Sequence, residues 1–98
     1  MSDVARDALV RQMREQIVDN DIRIIAAINR RLELVARLRE YKEAHGMAFV
    51  DQSREAWMHQ YLQGVNRGPL SEEGLHDIFE ALLELTKSET GDHQDDAG

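Results

Sequence analysis

There is no cysteine in this chain. That excludes a disulfide framework, thiol nucleophiles and thiolate metal ligands. Proline occurs once, at Pro69, and the six glycines are thinly spread. So few breakers favour long helices over many short strands. No apolar run approaches the roughly 18 residues of a membrane span. The opening Met1-Ser2-Asp3 lacks the basic and apolar regions of a secretory signal. Basic charge is in the minority: 12 Lys and Arg against 19 Asp and Glu leave a net charge of −7. That balance argues against nucleic acid and anionic membrane surfaces as partners, since both recruit basic patches. The expectation is a cytoplasmic globular protein.

The residues that are present read as three helices. The first runs from about Asp3 to about Ala44, without Gly or Pro inside. Val10, Met13, Ile17, Ile24, Leu34, Leu38 and Tyr41 recur at the spacing of one helix face, widened by Ile25, Ile28, Leu32 and Val35. Asn20 and Arg31 interrupt that seam, and Gly46 is its stop signal. Asp51 is a suitable N-cap for a second helix that carries Trp57, Met58, Tyr61, Leu62 and Val65 and ends near Gly64. Asn66-Arg67-Gly68-Pro69 reads as a loop. Ser71 caps a third helix, with Glu72 and Glu73 complementing its dipole. Its face is Leu75, Ile78, Phe79, Leu82, Leu83 and Thr86. Residues 1–90 form the helical domain, and residues 91–98 read as a disordered acidic tail.

The first helix poses a geometric problem. About 42 residues at roughly 1.5 Å each make a rod of about 63 Å. A compact chain of this length has a radius of gyration of only about 13 Å. Two shorter helices cannot cover such a stripe, so the simplest partner is a second copy of the chain. The fold expected is all-α, an intertwined homodimeric helical bundle.

Cations sit close to that apolar face. Arg31 and Lys42 are eleven residues apart, which at about 100° per residue returns them to within about 20° of one direction. Arg14 points about 100° away and could serve another surface, including one on a partner chain. A buried cation demands a counter-charge. One reading is that these side chains snorkel to solvent or pair with nearby Asp and Glu. Taken together with Arg54-Glu55, they suit a small dianion held between helices, Arg as a fork for carboxylate and Lys as a compact charge.

These residues resemble a known pattern. Met13-Arg14-Glu15-Gln16-Ile17, Asp21, Arg30-Arg31 and Tyr41-Lys42 keep the spacing of the first helix of the AroQ-type, all-helical chorismate mutases. Val50-Asp51-Gln52-Ser53-Arg54-Glu55 resembles the start of that family's second helix, and Ile78-Phe79 with Thr86 resembles its third. The resemblance covers about residues 8 to 90. It implies rearrangement of chorismate to prephenate, without metal or cofactor, in a dimer that shares its sites. Arg31, with Arg14 from the other chain, would bind substrate carboxylates, and Arg54 would add positive charge. Lys42 would donate to the ether oxygen of the breaking bond. Glu55 would accept from the ring hydroxyl, helped by the backbone near Asp51. Thr86 matches a small hydroxyl residue that contacts a carboxylate.

One position departs. The family usually has Gln, sometimes Glu, four residues after the small hydroxyl residue, and here that position is Thr90. Neighbouring Glu89 could donate to the ether oxygen only when protonated, which would favour acid pH. Otherwise Thr90 or a water would serve.

Three alternatives accompany this reading. Isochorismate-pyruvate lyases resemble the same fold but generally lack an acid at the Glu55 position. Mutases acting on 4-amino-4-deoxychorismate replace the ring hydroxyl with an amine. A non-catalytic helical adaptor would need the seam but none of these charges. His45, His59, His76 and His93 show no metal-ligand spacing and read as surface residues, whereas Trp57, Tyr61 and Phe79 read as core.

Overall fold

A computed structural model describes residues 3–48 and 52–90. Three helices account for nearly all of them: α1 (Asp3–Ala44), α2 (Gln52–Val65) and α3 (Glu72–Glu89). No strand occurs among the described residues. The expected all-helical class and the order of one long and two shorter helices are what is found. No described helix is long and apolar enough to cross a membrane. The Asp51 N-cap and the tail from residue 91 lie outside the described residues.

The local signals for helix ends act as anticipated. At the end of α1, Gly46 takes a φ of 64°. That left-handed turn lets the Gly46 N–H donate to the Glu43 carbonyl (3.3 Å) and the Met47 N–H donate to the Lys42 carbonyl (2.8 Å). Two carbonyls without partners further along the helix are thereby satisfied. After α2, the Asn66 side chain organises the loop. Its Nδ2 donates to the Leu70 carbonyl at 2.8 Å, and its Oδ1 accepts from the Gly68 N–H at 3.2 Å. The extended residue Ser71 (φ −74°, ψ 162°) then caps α3, its Oγ accepting from the Gly74 N–H at 3.0 Å. A Cβ at position 74 would lie 3.0 Å from Leu70 Cδ1 and 3.2 Å from Ser71 Oγ, so glycine leaves room for the cap.

The chain divides into two compact units, residues 1–33 and 34–98. The first is α1 up to Glu33. Its apolar side chains are largely uncovered: Met13 is 51% exposed, Ile17 60%, Val18 55% and Ile22 62%. Val18 and Ile22 lie about 100° and 140° around the helix from Ile17, so the apolar arc is wider than a single seam.

The second unit contains the end of α1 and the paired helices α2 and α3. Phe79 and Thr86, both on α3, are its buried described residues. Leu75, Leu82 and Leu83 are half-buried beside them, as the expected face requires, whereas Ile78 is exposed. Trp57 and Tyr61 depart from the reading as core: they are 51% and 53% exposed. The reason is the rotation of α2. It turns Glu55, Met58, His59, Leu62 and Gln63 inward, and leaves the row Trp57, Tyr61, Val65 outside. Trp57 and Tyr61 stack on each other instead, ring centroids 5.1 Å apart and 15° from parallel.

Candidate active site

In the first unit, Arg14 is exposed on α1. It borders two surface hollows, one shared with Arg11, Glu15, Val18 and Asp19, the other with Asp7, Val10 and Arg11. Every one of these residues comes from the same helix, so each hollow has a wall on one side only. Arg31, further along, is half-buried. Its neighbour Arg30 is exposed and reaches Glu33 at 3.8 Å, an ordinary helix-surface ion pair of small energetic weight.

In the second unit, the cationic end of α1 is ordered by its C-terminal cap. Lys42 is half-buried, and its carbonyl accepts the capping bond from Met47. One turn earlier, Arg39 has a side chain only 12% exposed and donates from Nε to Glu43 at 3.0 Å. Sequence reasoning did not single out this pair. Their i, i+4 spacing was the available signal. The pair ties down a cation beside Lys42.

On α2, Glu55 is half-buried in the first turn, where its charge also suits the helix dipole. Arg54 is exposed, and its guanidinium lies 4.8 Å from the centre of the Trp57 ring. That cation–π contact restrains a long side chain that would otherwise sweep through solvent.

On α3, Thr86 is 8% exposed and its hydroxyl donates to the Leu82 carbonyl at 2.7 Å. Thr90, one turn later, is half-buried and donates to the Thr86 carbonyl at 2.5 Å. The two threonines therefore share one face, while Glu89 is exposed beside them. Of the expected residues, the fold directly links Thr86 with Thr90. Lys42, Arg54, Glu55 and Glu89 lie in the same unit at the ends of their helices, and Asp51 falls outside the described residues. No group of three or more His, Asp or Glu able to hold a metal ion occurs among the described residues.

Lys42 and Glu55 are half-buried, Arg54 is held against the Trp57 ring and the Thr86 hydroxyl is buried. An all-helical chain with such a complement matches the chorismate mutase type II family model over residues 13–90. The chain belongs to that family. No curated protein and no solved structure matches it.

Proposed function

We propose that the protein is a chorismate mutase, converting chorismate to prephenate by an intramolecular Claisen rearrangement in a cytoplasmic homodimer. The observation that carries this reading is the family match, whose span contains Arg14, Arg31, Lys42, Asp51, Arg54, Glu55, Thr86, Glu89 and Thr90. The dimer is supported by the bare apolar arc of α1. Fully burying a Met, Ile or Val side chain contributes about 1.5–3 kcal/mol. Met13, Ile17, Val18 and Ile22 retain half or more of that gain unused within one chain.

The reaction needs no nucleophile, metal or redox cofactor. It needs the substrate held in a chair-like shape with the bond-forming carbons close, and stabilisation of negative charge that grows on the ether oxygen. In this proposal Arg31 and the partner subunit's Arg14 clamp the substrate carboxylates, and Arg54 adds to the positive field. Lys42 donates to the ether oxygen. Glu55 accepts from the ring hydroxyl, with the backbone near Asp51 assisting.

Thr86 adds a further contact by exchange. Its hydroxyl proton lies on the Leu82 carbonyl, so contacting a carboxylate requires rotation away from a neutral acceptor toward an anionic one. Charge-assisted bonds are roughly twice as strong, so the exchange is favourable. For the second donor to the ether oxygen, Glu89 in its protonated form and Thr90 compete. Thr90 would have to give up its bond to the Thr86 carbonyl.

The test follows the loss of the chorismate diene absorbance with wild-type protein and Lys42→Ala, with chromatographic identification of the product. Prephenate formed by wild type and reduced about 10²–10³-fold in the variant is the expected result, the usual cost of removing one donor from a developing oxyanion. Folded wild-type dimer that leaves chorismate untouched refutes the proposal. Isochorismate and the 4-amino analogue, assayed in parallel, identify the alternative substrate.

A further inference from the structure

His59 on α2 and His76 on α3 are seventeen residues apart. Nothing in their spacing marks them as a pair. The fold nevertheless brings His59 Nε2 to 3.3 Å from His76 Nδ1. Their ring centroids are 4.9 Å apart, with the planes tilted by 55°. The His59 ring is also packed against Phe79, centroid to centroid 5.6 Å and only 6° from parallel. Phe79 is 5% exposed, so the surface that orients His59 belongs to the core. His76 lies three residues before Phe79, on the same side of α3.

We propose that these two nitrogens chelate a divalent transition ion of the Zn²⁺, Ni²⁺ or Cu²⁺ kind, which clips α2 to α3. The distance fits. A tetrahedral ion with metal–nitrogen bonds of about 2.0–2.1 Å holds two ligands about 3.3–3.4 Å apart. The donor type fits as well. Imidazole suits these borderline ions, whereas Mg²⁺ and Ca²⁺ demand oxygen ligands.

The exchange is balanced in protons. A hydrogen bond between the two rings places one proton between the nitrogens. In a neutral pair the far nitrogen of the donor ring is bare, so as the ion binds, the shared proton moves by solvent exchange to that nitrogen. Each ring then keeps one N–H, on Nδ1 of His59 and on Nε2 of His76, and no net proton is released. With no third His, Asp or Glu completing a cluster among the described residues, water fills the other positions. The site is therefore open and exchangeable, weaker than a four-ligand structural zinc site. Its place in the fold gives it a consequence. Glu55 precedes His59 by one turn on α2, and Thr86 stands on α3, so the ion would fix the spacing of two helices that carry proposed substrate contacts.

Calorimetric titration of the protein with ZnCl₂ and NiCl₂, in a non-chelating buffer, tests this. Wild type is expected to bind one ion per chain. His59→Gln and His76→Gln should each weaken binding by about tenfold or more, the scale of losing one ligand of a small site. His45→Gln should bind as wild type, and MgCl₂ should give no heat. Zinc should raise the melting temperature of wild type and not that of His76→Gln. That substitution is at an exposed position, so it carries the test alone should His59→Gln lose its packing on Phe79. Unchanged binding in His76→Gln overturns the proposal. So does a ratio of one ion per two chains, or no binding at millimolar Zn²⁺.

Discussion

Two glycines allow the logic of the helix ends to be tested with opposite signs. At both Gly46 and Gly64 an added Cβ would meet nothing within 4 Å, so steric crowding within the chain plays no part in either substitution. What differs is the backbone. Gly46 has a φ of 64°, whereas Gly64 lies within α2. An L-residue in the left-handed region costs roughly 1–2 kcal/mol. Reduced entropy of the unfolded chain returns about 0.4–1 kcal/mol. Gly46→Ala should therefore destabilise by about 1 kcal/mol. Gly64→Ala should stabilise by about 0.5–1 kcal/mol, since alanine is the better helix former. With about 4–8 °C per kcal/mol in a domain of this size, the two variants should melt roughly 10 °C apart. The assay is thermal unfolding followed by circular dichroism at one fixed protein concentration, because the melting point of the proposed dimer would depend on it. Gly46→Ala as stable as wild type would refute the argument, and so would Gly64→Ala falling with it. The functional side is a second readout. Lys42 accepts the capping bond from Met47, so strain at position 46 should reduce turnover more than Gly64→Ala does.

Three further predictions concern the proposed site. Mixing Arg14→Ala with Arg31→Ala chains should restore about a quarter of the wild-type sites, because half of the randomly paired dimers are mixed and each mixed dimer holds one intact site. No recovery on mixing, measured as prephenate formation after subunit exchange, would rule out a site shared between chains. Thr86→Val should raise KM for chorismate while Thr86→Ser stays near wild type; equal kinetics for the two would remove the hydroxyl from substrate binding. Glu89→Gln should flatten any gain in rate toward acid pH, since an amide donates at every pH. An unchanged profile would leave Thr90 or a water as the second donor.

Features governed by nearby residues were legible in the sequence. Gly46 stops α1, Ser71 caps α3, and α2 ends within a residue of Gly64. Each depends on bonds that close over three or four residues, so one stretch of chain contains all the information. The span of α1 followed from the lack of breakers between Asp3 and Ala44. The places of Arg14, Arg31 and Lys42 on α1 were legible for a related reason, since a helix sets a fixed angle per residue.

Periodicity names a face but not what covers it. Trp57 and Tyr61 fit an apolar stripe as well as Met58 and Leu62 do, and the rotation of α2 against α3 left the first pair outside. Glu89 and Thr90 lie three and four residues after Thr86, both admissible for the same face, and packing alone put Thr90 inward and Glu89 outward. The meeting of His59 with His76 and Phe79 is likewise tertiary. Helix propensity and capping act within a turn of the chain, so the sequence alone determined where the helices begin and end. Burial and approach between distant residues depend on which surfaces of those helices meet, and the tertiary structure decided that.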